Sequence, residues 1–218
     1  MDWRERVRSC IGALIGIAMT GLVMRLFCKD VSDMPWLVAP MGASAVLLFA
    51  VPSSPLAQPW SIMGGNLVSA IVGVASAKLI ADPIHAAAIA IAFSIALMFA
   101  LRCVHPPSGA VALTAVLGGP SIHALGFEFV LAPIAIQSFL LLASAIVYHA
   151  LTRHPYPHHG PHAAHQAQYK PEEPLSPAVR RELDVALRRH GELLDIDPAD
   201  LESLVHEALS LAQRSPGK

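Results

Sequence analysis

The sequence is poor in charge. Of 218 residues only 14% are Asp, Glu, Lys or Arg against 54% hydrophobic, a balance that excludes an ordinary soluble domain and indicates an integral membrane protein. A net charge of −1 gives no electrostatic case for nucleic acid as a partner. Cysteine is scarce as well. Cys10, Cys28 and Cys103 are odd in number, widely spaced and set in or beside apolar runs, which excludes a disulfide framework and a CxxC metal knuckle. No small-residue cleavage site follows Arg4, Arg6, Arg8 and the apolar run Cys10–Phe27. That start therefore reads as an uncleaved first transmembrane helix with a cytoplasmic N-terminus, not as a signal peptide.

What is present is a set of apolar runs. The chain reads as all-α, a polytopic helical membrane protein with six apolar segments, four long and two short. The long ones are Cys10–Phe27, Ile62–Ile80, Ile84–Leu101 and the run from Phe127 to Thr152, interrupted by Pro133; each is long enough to cross roughly 30 Å of hydrocarbon. The short ones are Val38–Val51 and Ser108–Leu117, the second stopped by Gly118-Gly119-Pro120. Trp36 and Trp60 are placed as interface anchors, and Pro52–Trp60 is too rich in proline to be helical throughout. Gly12, Gly16 and Thr20 on the first segment and Gly65, Ser69, Gly73 and Ala77 on the third recur at four-residue spacing, stripes that allow close helix approach and invite self-association into a homo-oligomer.

The short segments are related. A shift of 67 positions pairs Pro40 with Pro107, Gly42 with Gly109, Ala43 with Ala110 and Ala45 with Ala112, and then Ser54 with Ser121, Ala57 with Ala124 and Trp60 with Phe127. Two three-segment repeats follow. If the short helices cross fully the halves are inverted; if they are re-entrant there are four spans and the halves run parallel. Charge does not choose, because Arg102 is inside in the first arrangement and Lys78 in the second. Both arrangements put the termini on one side, and Arg4, Arg6, Arg8 and Arg153 make that side the cytoplasm of a cell (inner) membrane.

The composition divides the chain into a transmembrane domain (1–152), a His/Pro-rich linker (153–176) and a short soluble helical hairpin (177–218). The linker holds His154, His158, His159, His162 and His165; these read as a flexible connection, with a metal-ion sensor or transporter as the alternative. In the hairpin, Ser176-Pro177 and Asp197-Pro198 are helix starts and Gly191 a stop.

The chemistry concentrates at Leu101-Arg102-Cys103-Val104-His105-Pro106-Pro107-Ser108-Gly109-Ala110, where a cation, an imidazole and two prolines break an apolar run. Pro107 suits the first position of a helix, and a helix that starts inside a membrane aims unpaired N–H groups at its surroundings. Pro40, Met41, Gly42 and Ser44 repeat the arrangement in the first half. Facing starts of this kind suit a small anion. The candidate substrate-binding residues are therefore His105, Pro107, Ser108, Gly109, Pro40, Met41, Gly42, Ser44, Asn66 and Arg102, with Gly42 and Gly109 expected to tolerate substitution least.

Each has a plainer reading too. His105 either meets the anion, as a charge or a proton donor, or caps a broken helix through a freed carbonyl. Arg102 either adds to the anion's electrostatics or reaches the headgroups. Asn66 and Gln137 either orient cargo or join helices, and Glu128 is an interface acid. An intramembrane hydrolase using Ser108 and His105 lacks a nearby acid and a nucleophile-elbow pattern, so no enzyme activity, catalytic metal or cofactor is expected.

Val104-His105-Pro106-Pro107-Ser108-Gly109-Ala110, together with Ala39-Pro40-Met41-Gly42-Ala43-Ser44-Ala45, the Pro52-Ser53-Ser54-Pro55 to Gln58-Pro59 block and Gly65-Asn66, resembles the signature of the HPP family of integral membrane proteins. The resemblance covers roughly Arg8 to Leu151. It implies transport, with nitrite as the cargo. Some members carry paired CBS domains after the membrane region; the hairpin stands there in this chain, so adenosine-ligand regulation is not implied.

Overall fold

The computed structural model describes residues 3–27, 35, 37–157, 179, 181–183, 185 and 205. The chain divides into two compact units, Met1–His158 and His159–Lys218. In the second unit Val179, Arg181, Glu182, Leu183, Val185 and Val205 are helical; the rest of the expected hairpin lies outside the described residues, as do Cys28, Trp36, His158, His159, His162 and His165.

The first unit is all helical, with α1 (Trp3–Phe27), α2 (Pro40–Ala50), α3 (Pro59–Leu79), α4 (Pro83–Ala100), α5 (Pro107–Leu117), α6 (Gly119–Leu125) and α7 (Ile136–Leu151). Proline opens α2, α3, α4 and α5, where its missing N–H costs nothing and its fixed φ suits the first turn. At α4 the Asp82 side chain caps by accepting the His85 amide at 2.8 Å. That bond and the His85 ring hold its carboxyl below the ordinary carboxylate range.

Trp3–Leu26, Pro59–Leu79, Pro83–Ala100 and Val130–Leu151 are long and apolar enough to cross a membrane, and α5 with α6 forms a pair bent by 97°. The described residues thus form a polytopic bundle with four long spans, or five if the bent pair is one. The first helix starts at Trp3 rather than Cys10, because hydropathy marks where a helix meets hydrocarbon and not where its hydrogen bonds begin. Ahead of α7, Val130–Ala135 forms a wide π-type turn with Ala132 out of helical geometry beside Pro133. The bend between α5 and α6 is glycine-dependent: Gly119 sits at φ +81°, and a Cβ on Gly118 would collide with Thr114 O.

Hydrogen bonds show which helix ends lie together. Tyr148 near the end of α7 donates to Arg8 O near the start of α1, and His149 reaches Leu48 O at the end of α2. Tyr156 donates to Ala57 O just before α3, and Trp60 at the start of α3 donates to Leu101 O at the end of α4. One end of the bundle therefore carries the starts of α1 and α3 and the ends of α2, α4 and α7. Packing of the chain continues past Thr152 to Tyr156, which is buried.

The glycine stripes are used within the chain. Cβ atoms on Gly12 and Gly16 would lie 2.5 and 2.7 Å from the Phe49 ring, and Phe49 is among the largest fully buried side chains, edge-on to Tyr148 and stacked on His149. On α3, Gly65 faces Ser108 and Gly73 faces Ala112 and Ala115 of α5. Both stripes are covered by neighbouring helices of the same molecule, which removes the argument from them for self-association. The outward surface is instead large and aliphatic or aromatic, as Leu14, Leu22, Phe93, Phe99, Leu131 and Phe139 illustrate.

Candidate functional site

The break at Arg102–Pro106 is a finished helix end followed by an extended segment that turns inward. Arg102 adopts φ +53°, its amide donates to Phe99 O and the Cys103 amide donates to Met98 O at 2.9 Å. This is a Schellman turn with arginine where glycine is usual. The same motif closes α7, with Arg153 at φ +54° and the His154 amide on His149 O. In both cases a cation sits at the negative end of a helix.

Past the turn, Cys103 and His105 are buried and α5 begins. The Ser108 amide donates to His105 O and the Gly109 amide to Pro106 O; in α2 the Met41 and Gly42 amides donate to Val38 O and Ala39 O. Ala39 and Pro106 already have helical dihedrals. The amides expected to be free for an anion are therefore held by the tight turn that leads into each helix.

His105 is fully buried and bridges three segments. Its Nδ1 lies 2.8 Å from Leu56 O and its Nε2 2.8 Å from Ser44 Oγ. A carbonyl only accepts, so Nδ1 carries the proton; in the neutral imidazole Nε2 then takes the Ser44 hydroxyl as donor. The reason lies in the prolines. Leu56 O is in a 3₁₀ turn, Pro55–Ala57, and the residue that would donate to it at three residues' spacing is Pro59, which has no N–H. Leu48 O has the same difficulty, because its helical partner is Pro52; His149 Nε2 supplies that bond at 2.8 Å, while Arg8 donates to His149 Nδ1 at 3.2 Å. Of the two readings of His105, the capping one describes this geometry.

Beside it lies a second polar group. Ser108 Oγ donates to Asn66 Oδ1 at 2.8 Å, and Asn66 Nδ2 donates to Ser138 Oγ at 2.9 Å, all fully buried. Gln137 does the equivalent for α2: its Oε1 accepts the Val38 amide and its Nε2 donates to Pro35 O. Both amide side chains thus join helices, Asn66 to the start of α5 and Gln137 to the extended chain before α2.

Of the other expected site residues, Pro40, Met41 and Pro107 are buried, whereas Gly42 and Arg102 are exposed. A Cβ on Gly42 would meet nothing within 4 Å, and one on Gly109 only Ile91 Cδ1 at 3.5 Å. The glycines with no room are Gly12, Gly16, Gly64, Gly65, Gly73 and Gly118; at Gly42 and Gly109 steric crowding gives no reason for intolerance. Ser108 pairs with Asn66 and not with His105; the hydroxyl on His105 is that of Ser44, and the ring's other partner is a carbonyl rather than an acid. Among the described residues no group of three His, Cys, Asp or Glu could hold a metal ion. The sequence reading missed Ser138, the carbonyl-capping role of His149 and the buried bond of Tyr156; the available signal was the pair Pro52 and Pro59, each of which deprives an upstream carbonyl of its partner.

These features define a class: a polytopic α-helical membrane protein in which two short proline-started helices are tied into the bundle by buried side-chain hydrogen bonds. Residues 1–157 match the family described as HPP, transmembrane region, and the chain belongs to that family. Two transmembrane proteins of Dictyostelium discoideum are similar to it, 36% and 33% identical over 156 residues, which is 70% of this chain and 54% and 50% of theirs. The chain therefore spans about half the length of these curated relatives. No solved structure matches it.

Proposed function

We propose that the protein passes a small monovalent anion, nitrite first among the candidates, through a site where the starts of α2 and α5 approach each other. The observation that carries this reading is the buried polar cluster Ser44–His105 and Ser108–Asn66–Ser138, five fully buried side chains in a bundle that crosses hydrocarbon, where such groups are functional by default. The hydroxyls of Ser44 and Ser108 and the amide of Asn66 are the donors an anion takes in exchange for their present partners. Ser69 Oγ, one turn further along α3, is buried with no partner among the described residues and is a further donor. Because the first amides of α2 and α5 are engaged, side chains carry the hydrogen bonds and the helix dipoles supply the field. Nitrite itself comes from the family resemblance.

The same reading includes two inverted halves, α1-α2-α3 and α4-α5-α7. Three features support it. First, α2 and α5 each run 11 residues from a proline, 67 positions apart. Second, α1 packs on α2 and α7 while α4 packs on α5 and α3, the pattern expected if the two halves exchange their third helices. Third, Asn66 and Gln137 hold corresponding starts. The placement of Arg102 on the bundle end that carries Arg8 and Arg153 favours full crossing by the short helices and a cytoplasmic location for that end.

The test is flux into liposomes holding purified protein, with nitrite, nitrate, formate and chloride offered separately, with and without a pH gradient. Nitrite uptake above that of empty liposomes, lowered in Ser44→Ala and Ser108→Ala, is the expected result. Equal silence for all four anions overturns the reading.

A further inference from the structure

Beside the break, between α4 and the start of α5, lies a groove of about 360 Å³ lined by Ile91, Ile95, Met98, Val104, Pro106 and Gly109. Its lining has no charged or hydrogen-bonding side chain, so it does not suit the anion. Ile91, Ile95 and Met98 follow helical spacing along α4, the span with the smallest buried share, so the groove lies along the surface that faces lipid. At one end it closes on the Schellman turn, where the Cys103 amide meets Met98 O. Arg102, between the lining residues Met98 and Val104 in sequence, is exposed and has no carboxylate within ion-pair distance among the described residues. The residue also holds a left-handed backbone that glycine would adopt without strain, so the turn geometry itself does not require an arginine. Trp60, 58% exposed with its ring N–H on Leu101 O, marks the same end as an interface.

From these observations we infer that the groove is a binding site for one phospholipid with an anionic headgroup. An acyl chain lies along Ile91, Ile95 and Met98, and the phosphate meets the Arg102 guanidinium. Charge complementarity selects the occupant: an apolar slot ending on an unpaired cation at the interface matches an anionic lipid and not an uncharged helix face. Gly109 leaves the slot open, since even a Cβ there comes to 3.5 Å of Ile91.

The experiment is native mass spectrometry of the full chain in detergent, titrated with phosphatidylglycerol or with phosphatidylcholine of the same acyl chains. Wild type is expected to retain one phosphatidylglycerol with about fivefold preference, the contribution of a single cation near an anionic surface. Arg102→Gly keeps the turn and should lose the preference, Arg102→Lys should keep it, and Ile95→Trp should fill the slot and lose the bound lipid of either kind. A preference that survives Arg102→Gly overturns the inference. So does Ile95→Trp that binds as wild type, or one that converts a dimer to a monomer with lipid retention unchanged, which would make the groove a contact between two copies. None of these readouts depends on anion flux, so they stand or fall apart from the transport reading.

Discussion

Gly65→Ala is the sharpest test of how the two short helices are held. A methyl group at that position would sit 2.8 Å from Ser108 Oγ, 2.9 Å from Cys103 O and 2.9 Å from His105 Cβ. One of these neighbours is backbone and cannot rotate away, and another is anchored through a ring bonded at both nitrogens. Overpacking of this kind costs about 2 kcal/mol. Displacing the Ser108 hydroxyl from Asn66 adds about 1 kcal/mol. Against this stands a gain of about 1 kcal/mol from replacing glycine inside a helix. The expected net loss is on the order of 2 kcal/mol. Gly42→Ala, where an added Cβ meets nothing within 4 Å, keeps only the gain. Thermal unfolding of both variants in detergent, followed by intrinsic tryptophan fluorescence, should place Gly65→Ala below wild type and Gly42→Ala at or above it. If Gly65→Ala melts with wild type, or Gly42→Ala falls as far, the close approach of α3 to the start of α5 has been misread.

Two further outcomes follow from the same network. His105→Phe leaves the Ser44 hydroxyl and Leu56 O without their partner, a loss of about 2–4 kcal/mol from two buried unpaired groups; the melting temperature should fall, and an unchanged one would mean that the ring does not clamp the connection. Arg153→Gly relieves the left-handed strain at φ +54° while keeping the Schellman bonds, and should stabilise by about 1 kcal/mol in the same melt; a lower melting temperature would mean that the arginine side chain contributes more than its backbone costs.

The membrane class, the four long segments and the two short proline-started helices were legible in the sequence, because hydropathy over a span and the missing N–H of proline act locally. The two short helices, α2 and α5, each run 11 residues. The small helix α6 was not legible: Gly118-Gly119-Pro120 reads as a stop, and only the turn geometry at Gly119 lets a new helix start at once in another direction. Nor could spacing say which glycines are crowded. Gly42 and Gly109 sit at the motif, but crowding depends on what another helix brings to within 3 Å, and that partner is α5 against Gly65 and Phe49 against Gly12.

His105 shows the division most clearly. By itself the sequence determined that an imidazole stands at a break in an apolar run, beside prolines that must leave backbone carbonyls unpaired somewhere. Which carbonyl, and which hydroxyl, were decided by the tertiary structure, since Leu56 is 49 and Ser44 is 61 positions away along the chain. The physical reason is that proline removes a donor locally, whereas in a medium without water its replacement must come from whatever side chain the packing of other helices delivers.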